Sequence, residues 1–209
     1  HAEVQGGRRS PCSRGPMIDG AQLRFGINIQ LPSRRAAIAP SRLPFQRRRV
    51  RVPGMKSLPL LDELRSPADL RRFDDDRLQQ LAEEIRYRIK ETVSVTGGHL
   101  ASNLGVVELT LALHRVFDFS SDRLLWDVGH QAYPHKLLTG RAHRFASNRT
   151  EHGISGFPDP KESPYDIAKV GHSSTAISTG VGVAEADRRL GLDRRTVVVV
   201  GDGSLTGGM

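Results

Sequence analysis

Cysteine, aromatic residues and long apolar runs are all scarce in this chain of 209 residues. Cys12 is the single cysteine, which excludes an internal disulfide framework and zinc or iron–sulfur sites built on several thiolates. No apolar run approaches the roughly 18–20 residues of a membrane helix. Hydrophobic residues make up 37% of the chain and charged residues 26%, a composition typical of a globular protein.

The positive net charge of +8 comes from one part of the chain. Residues 1–56 contain twelve basic side chains (eleven Arg and Lys56) against Glu3 and Asp19, a net charge of +10. The remaining residues contain 19 basic and 21 acidic side chains, a net charge of −2. A basic surface is a common sign of nucleic-acid binding, but here that sign depends on the first 56 residues alone.

The basic segment, residues 1–55, lacks any sustained helical or strand periodicity. Its composition fits an organelle transit peptide, a basic arm that binds nucleic acid, or upstream sequence translated before a true start at Met55. We favour the third interpretation because the composition changes at Met55, so we expect a disordered tail outside the native protein. The chain begins at His1 and stops at Met209 within a glycine-rich run, from which we expect a fragment of a longer protein.

From Leu60 onward the pattern predicts helices that alternate with short strands. A short helix is predicted from Pro67 and a longer one from about Asp75 to the glycine pair at 97–98. Further helices are predicted over residues 106–117, 132–138 and 173–190, and an irregular loop over 141–169. The longer helix is predicted from an apolar stripe at Leu78, Leu81, Ile85, Ile89 and Val93.

Two apolar runs, residues 124–126 and 196–200, are predicted to be strands. The second run, rich in valine, is typical of a strand that is buried on both faces of a parallel sheet. Helices alternating with such strands indicate an α/β fold with a parallel sheet flanked by helices. Ligands in such folds bind at the carboxyl ends of the strands, which directs attention to the residues that follow each run.

A glycine-rich turn, residues 201–204 (GDGS), follows the second predicted strand directly. Its glycines allow a ligand to approach the backbone, and Asp202 offers the hard oxygen that Mg²⁺ takes beside a phosphate. A helix beginning near Leu205 would direct its N–H groups toward an anion. The same pattern also describes an ordinary strand–turn–helix in which Asp202 is a cap.

A second candidate phosphate site is the segment 171–175 (GHSST), which precedes the predicted helix 173–190. Exposed N–H groups and hydroxyls at a helix start suit phosphate binding. The alternative is ordinary helix capping by Ser173 or Ser174.

Seven of the eight histidines lie between His99 and His172. His99 follows two glycines on a turn, and His130 follows the first predicted strand, so both are candidate proton carriers near neutral pH. His114 and His143 are interpreted as structural or solvated. The spacings include no HExxH pattern or other compact set of metal ligands.

Four of these motifs together resemble the N-terminal region of the 1-deoxy-D-xylulose 5-phosphate synthase family. They are residues 94–110 (SVTGGHLASNLGVVELT), 126–136 (WDVGHQAYPHK), 171–175 (GHSST) and 201–203 (GDG). The resemblance implies a thiamine-diphosphate-binding fold over residues 56–209, with thiamine diphosphate and Mg²⁺ as cofactors. It implies a transketolase-type transferase that condenses pyruvate with glyceraldehyde 3-phosphate and releases CO₂. The resemblance further implies that this reaction is the first step of non-mevalonate isoprenoid synthesis and that its product also feeds thiamine synthesis.

The resemblance also implies roles for individual residues. Asp202 matches a magnesium ligand, His99 matches a histidine at the reacting centre, and His130 matches a histidine that touches the cofactor. Further cofactor contacts are implied at Gly171, His172, Ser173, Gly203 and Ser204. His135 receives no role. The family's second metal ligand, an Asn, and its activating Glu lie downstream of Met209, so we expect this chain alone to be inactive.

Other functions stay open at this point. A transketolase proper or the first component of pyruvate dehydrogenase uses the same cofactor, although the order of the His99, His130 and GHSST motifs argues against both. A nucleic-acid-binding protein that uses the basic tail is the alternative from another class. The resemblance implies a homodimer when full length and a bacterial cytoplasmic location, with a plastid less favoured, and gives no reason to expect a membrane.

Overall fold

The computed structural model describes residues 57–207. The expectations for the basic tail, for the start at Met55 and for residues 208–209 lie outside this range. In chain order, the described α-helices are α1 (Pro59–Glu63), α2 (Asp75–Thr96), α3 (Ala101–Leu104), α4 (Val107–Val116), α5 (Tyr133–Lys136) and α6 (Ala176–Arg189). Shorter helical turns span Pro67–Arg72, Leu137–Arg141, Ala142–Ser147 and Asp202–Thr206. The two described strands are β1 (Arg123–Trp126) and β2 (Thr196–Val199).

The longest helix, α2, begins and ends where its local sequence dictates. The Asp74 carboxylate accepts a hydrogen bond from the Arg77 N–H at 2.9 Å, which satisfies one of the free donors of the first turn. Gly97 ends the helix at φ +71°, a backbone conformation that favours glycine. The apolar stripe predicted from the sequence is therefore confirmed, and Leu81, Ile85 and Ile89 are fully buried in the core.

Strands β1 and β2 pair in parallel, with Arg123 opposite Thr196 and Trp126 opposite Val199. Helix α6 lies against the sheet through Gly180, where an added β-carbon would stand 2.6 Å from the Val198 side chain. This arrangement confirms the predicted parallel α/β fold. It also brings the carboxyl ends of both strands to one edge, so the segments after Trp126 and Val199 become neighbours.

Three local expectations need correction. Strand β2 is half-buried rather than buried on both faces, because within residues 57–207 it has β1 as its one neighbouring strand. Helix α6 begins at Ala176 rather than at residue 173, and the GDG segment opens a 3-10 helix at Asp202 instead of preceding a helix near Leu205. The loop predicted over 141–169 is irregular apart from its start, where Arg141 ends the turn Leu137–Arg141 and the turn Ala142–Ser147 follows.

The core consists of two apolar clusters, one built on α2 and one around β1. One apolar cluster joins α1, α2, α4 and α5, and a second cluster surrounds Trp126 and Phe119. None of the helices within residues 57–207 combines the length and the apolar character needed to cross a membrane.

Candidate functional site

Asp127, the first residue after β1, connects the strand to the GHSST segment. Its Oδ1 accepts a hydrogen bond from the Ser174 N–H at 2.9 Å, and its Oδ2 accepts one from the Ala176 N–H at 3.1 Å. Burial raises the pKa of Asp127, but the hydrogen bonds from Ala176 and Ser174 outweigh it, so the pKa lies below its ordinary value. The carboxylate is therefore ionised, and it caps α6 from a neighbouring strand.

This cap changes the interpretation of the GHSST segment. The Ser174 and Ala176 N–H groups are already satisfied by Asp127, so they are not free to bind a diphosphate. Neither Ser173 nor Ser174 caps the helix through its side chain. The candidate residues Gly171, His172 and Ser173 are exposed, so they remain accessible to a ligand.

Ser174 connects the GHSST and GDGS segments. Its hydroxyl donates a hydrogen bond to the Ser204 carbonyl at 2.5 Å. Its backbone adopts φ +66°, which is uncommon for a residue with a side chain. The two glycine-rich segments predicted from the sequence are thus joined through Ser174, which the sequence offered as part of a phosphate site or as a helix cap.

His99 and His130 are brought together, although 31 positions separate them. Their rings meet edge to face, with centroids 5.1 Å apart. The fully buried Asn103 holds both backbones, because its Nδ2 donates to the His99 carbonyl at 2.5 Å and to the His130 carbonyl at 2.7 Å. Its Oδ1 accepts from the Tyr133 N–H at 2.8 Å, so every hydrogen-bonding group of this amide is used except one lone pair.

The pair has an electrostatic consequence for His130. Burial lowers the pKa of His130, and the nearby His99 lowers it further, whereas Asp127 opposes both effects. The pKa of His130 therefore lies below its ordinary value, and the ring is neutral at pH 7. Its Nδ1 is buried and makes no hydrogen bond within residues 57–207.

A turn with left-handed backbone conformation precedes His130 and sets its position. Val128 and Gly129 adopt φ +58° and +84°, and a β-branched residue in that region is strained. A β-carbon on Gly129 would lie 2.6 Å from both Pro158 and Val170. Glycine is therefore required here because the loop over 148–170 closes directly on the turn.

The GDGS segment is open to solvent. Asp202 and Gly203 are exposed, Ser204 is half-buried, and a β-carbon at Gly171, Gly201 or Gly203 would meet nothing within 4 Å. No three His, Cys, Asp or Glu side chains within residues 57–207 lie close enough together to hold a metal ion. The described residues therefore offer the Asp202 carboxylate for a magnesium site, but they do not gather three such side chains around it.

The contacts so far gather all four sequence motifs at the carboxyl edge of the sheet. A sequence profile of the family described as 1-deoxy-D-xylulose-5-phosphate synthase matches residues 61–209. The chain belongs to this family. The matched range includes every candidate site residue and nearly all of the described fold.

Three relatives show the extent of the similarity. The 1-deoxy-D-xylulose-5-phosphate synthase of Bordetella petrii is 57% identical over 150 residues, which is 72% of this chain and 24% of the relative. The enzymes of the same name from Chromobacterium violaceum and Thioalkalivibrio sulfidiphilus are 55% and 56% identical over 150 and 154 residues. The latter alignments cover 72% and 74% of this chain and 24% of each relative. The chain thus spans about a quarter of the length of the curated relatives it matches.

Sequence reasoning missed three residues that hold the site together, namely Asp127, Asn103 and Ser174. The sequence does contain a signal for Asp127, because an acidic residue directly after a buried strand lies at the ligand-binding edge of a parallel sheet. No local pattern identifies Asn103, whose partners lie up to 30 residues away along the chain.

Proposed function

We propose that this chain forms part of a thiamine-diphosphate-dependent transferase of the transketolase type. The reaction is the condensation of pyruvate with D-glyceraldehyde 3-phosphate to 1-deoxy-D-xylulose 5-phosphate and CO₂, as the relatives' name suggests. The observation that carries the proposal is that the His99–His130 pair and the GHSST and GDGS segments meet at one sheet edge in a chain of this family.

The residues at that edge fit the proposed cofactor in kind. The exposed residues 171–173 and 202–203 and the half-buried Ser204 offer backbone N–H groups and serine hydroxyls for a diphosphate, and Asp202 offers an oxygen for Mg²⁺. His130 carries a buried Nδ1 without a hydrogen-bond partner in the described residues, on the same edge. Thiamine diphosphate, when bound, supplies the electron sink that allows pyruvate to lose CO₂.

The two histidines provide acid–base chemistry for this reaction. His130 is held neutral by burial and by His99, so it can accept a hydrogen bond or a proton at pH 7. His99 is exposed beside it and is the better placed of the two to exchange a proton with a substrate oxygen.

The metal site is the weakest part of the fit. Mg²⁺ requires near-octahedral coordination by several oxygens, whereas the described residues contain no cluster of three His, Cys, Asp or Glu side chains, at Asp202 or elsewhere. We therefore expect this chain on its own to bind thiamine diphosphate and Mg²⁺ weakly and to release no CO₂ from pyruvate. A homodimer and a bacterial cytoplasmic location are further proposals, supported by the resemblance and by the bacterial sources of the relatives.

A chimeric enzyme tests the proposed function. Residues 61–209 replace the aligned segment of the Bordetella petrii relative, and formation of 1-deoxy-D-xylulose 5-phosphate is measured from pyruvate and glyceraldehyde 3-phosphate. We expect an active chimera, and loss of at least about 100-fold in activity with Asp202→Asn or His99→Ala, since each removes a group proposed to act directly.

Two results would contradict the proposal. A folded chimera without this activity would show that the segment cannot form the site. A chimera that uses ketose donors in place of pyruvate would favour a transketolase instead. Arg72→Ala, at an exposed residue of the turn Pro67–Arg72 within the transferred segment, is the control and should not change the activity.

A further inference from the structure

The irregular segment 148–170 is held by buried charge and lies directly over the candidate site. Two acidic side chains of this segment, Glu162 and Asp166, reach back to α5 and the turn that follows it. There they form hydrogen bonds and ion pairs with three basic side chains, His135, Lys136 and Arg141. All three basic side chains are at least nine-tenths buried, and so is Asp166.

Asp166 is the centre of this network. Its carboxylate accepts hydrogen bonds from His135 Nε2 at 2.9 Å, from both terminal nitrogens of Arg141, and from the Asp159 N–H at 2.9 Å. The last of these bonds comes from within the segment itself. Asp166 therefore fixes both the attachment of the segment to the core and its internal fold.

Glu162 repeats the arrangement. Its Oε2 accepts from Lys136 Nζ at 2.6 Å, and its Oε1 accepts from the Ser155 N–H at 2.5 Å. Each acid thus holds one buried cation and one backbone N–H of the segment. The two N–H groups, at Ser155 and Asp159, bracket Phe157 and Pro158.

The bracketed residues form the tip of the segment, and the tip contacts the candidate site. The Phe157 ring lies 6.4 Å from the His99 ring, centroid to centroid. Pro158 lies so close to Gly129 that a β-carbon there would stand 2.6 Å from Pro158 Cδ. The tip therefore touches both turns that carry the histidine pair.

The charges of the network balance, which explains why it is tolerated in the core. Burial lowers the pKa of His135 despite the hydrogen bond with Asp166, so His135 is neutral. Two cations, Lys136 and Arg141, then face two carboxylates. His135 donates through Nε2–H to Asp166, so its Nδ1 accepts from the His114 Nε2–H at 2.9 Å. A buried charged group that lost its partner would destabilise the fold.

We propose that Asp166 and Glu162 are positioning residues, which hold the tip Phe157–Pro158 against His99 and Gly129 and so fix the geometry of the histidine pair. The importance of that geometry for catalysis depends on the proposed function. The positioning itself does not, because it concerns contacts within this chain.

Four variants of this chain test the proposal by NMR without cofactor. Phe157→Ala removes the tip ring and defines the shift of the His99 imidazole signals when that ring is gone. Asp166→Asn and Glu162→Gln remove one charge each with little change in shape. Lys169→Ala is the matched control, because it deletes the ion pair of an exposed lysine with Asp159 within the same segment.

We expect the two network variants to move the His99 signals in the direction set by Phe157→Ala. Amide exchange at residues 155–159 should accelerate by about tenfold or more, while that of α2 changes by less than about twofold. Lys169→Ala should leave the His99 signals and the exchange rates unchanged. Uniform faster exchange would instead indicate a general loss of stability.

The proposal is overturned if the His99 signals stay in place in both network variants although Phe157→Ala moves them. It is also overturned if Phe157→Ala itself leaves them unmoved, because the tip would then make no contact with His99. If Asp166→Asn does not fold, Glu162→Gln carries the test, and failure of both to fold would assign these acids to the stability of the core alone. Absence of cofactor binding would refute the proposed function and leave these results interpretable.

Discussion

Replacing Asp127 by Asn should weaken the connection between β1 and α6 more than any other change of a single atom at this edge. The carboxylate accepts one N–H on each oxygen, whereas the amide retains one acceptor and presents an NH₂ group to the second N–H. The variant therefore loses one hydrogen bond to a charged group, worth about 1.5–3 kcal/mol, and leaves a buried donor unsatisfied at about 1–3 kcal/mol.

We expect the free energy of unfolding to fall by roughly 3 kcal/mol in Asp127→Asn, since the two costs overlap. Urea denaturation followed by far-UV circular dichroism measures this value. Stabilities of single domains are about 5–15 kcal/mol, so the variant should still fold, with a lower midpoint and an unchanged slope.

Asp122 provides a matched control at the amino end of the same strand. Its two oxygens also accept one backbone N–H each, from Arg195 at 2.9 Å and Asp118 at 3.2 Å, but these bonds are exposed to solvent. Water can replace them, so Asp122→Asn should cost less than about 1 kcal/mol. Equal losses in the two variants, or a loss below about 0.5 kcal/mol in Asp127→Asn, would refute the assignment of Asp127 as a buried cap.

Three further predictions follow from charge. His99→Gln should raise the pKa of His130 in an NMR titration, because the charge that lowers it is removed, and an unchanged or lower pKa would contradict the pairing. Burial lowers the pKa of His114 well below its ordinary value, so the free energy of unfolding should fall as the pH drops below about 6.5, where the unfolded chain binds more protons. His114→Gln should reduce the proton uptake on unfolding at about pH 5.5 by about one proton. An unaltered dependence of stability on pH in this variant would show that His114 is not the group responsible. Deletion of residues 1–54 should leave the midpoint of urea denaturation unchanged and abolish any salt-sensitive binding to DNA. Retained DNA binding would show that the remaining residues bind DNA.

Local patterns in the sequence are sufficient to predict the main helices and both strands. The apolar stripe of α2 and the glycine that ends it are short-range signals, and so is the valine run of β2. Burial of β2 was predicted wrongly, because a valine run does not tell how many strands surround it. The start of α6 was also wrong, because its cap, Asp127, lies 49 positions before Ala176.

The candidate site was predicted in part, through the rule that strand ends meet at one edge of a parallel sheet. That rule places the GHSST and GDGS segments beside the turn that carries His130, as the structure shows. It does not identify Asn103, which holds the histidine pair, or Asp166, which holds the segment 148–170, because these residues act on partners 25 to 31 positions away. The roles of the individual site residues stay predictions.

Binding of thiamine diphosphate at the carboxyl edge of the sheet is tested most directly by NMR mapping on this chain. Millimolar thiamine diphosphate with Mg²⁺ is added to the isotope-labelled protein, and amide shifts are followed residue by residue. We predict weak binding with shifts confined to residues 127–131, 171–174 and 201–204, and reduced by Asp202→Asn. Shifts centred elsewhere, or the same shifts in the Asp202→Asn variant, would contradict the proposed cofactor site.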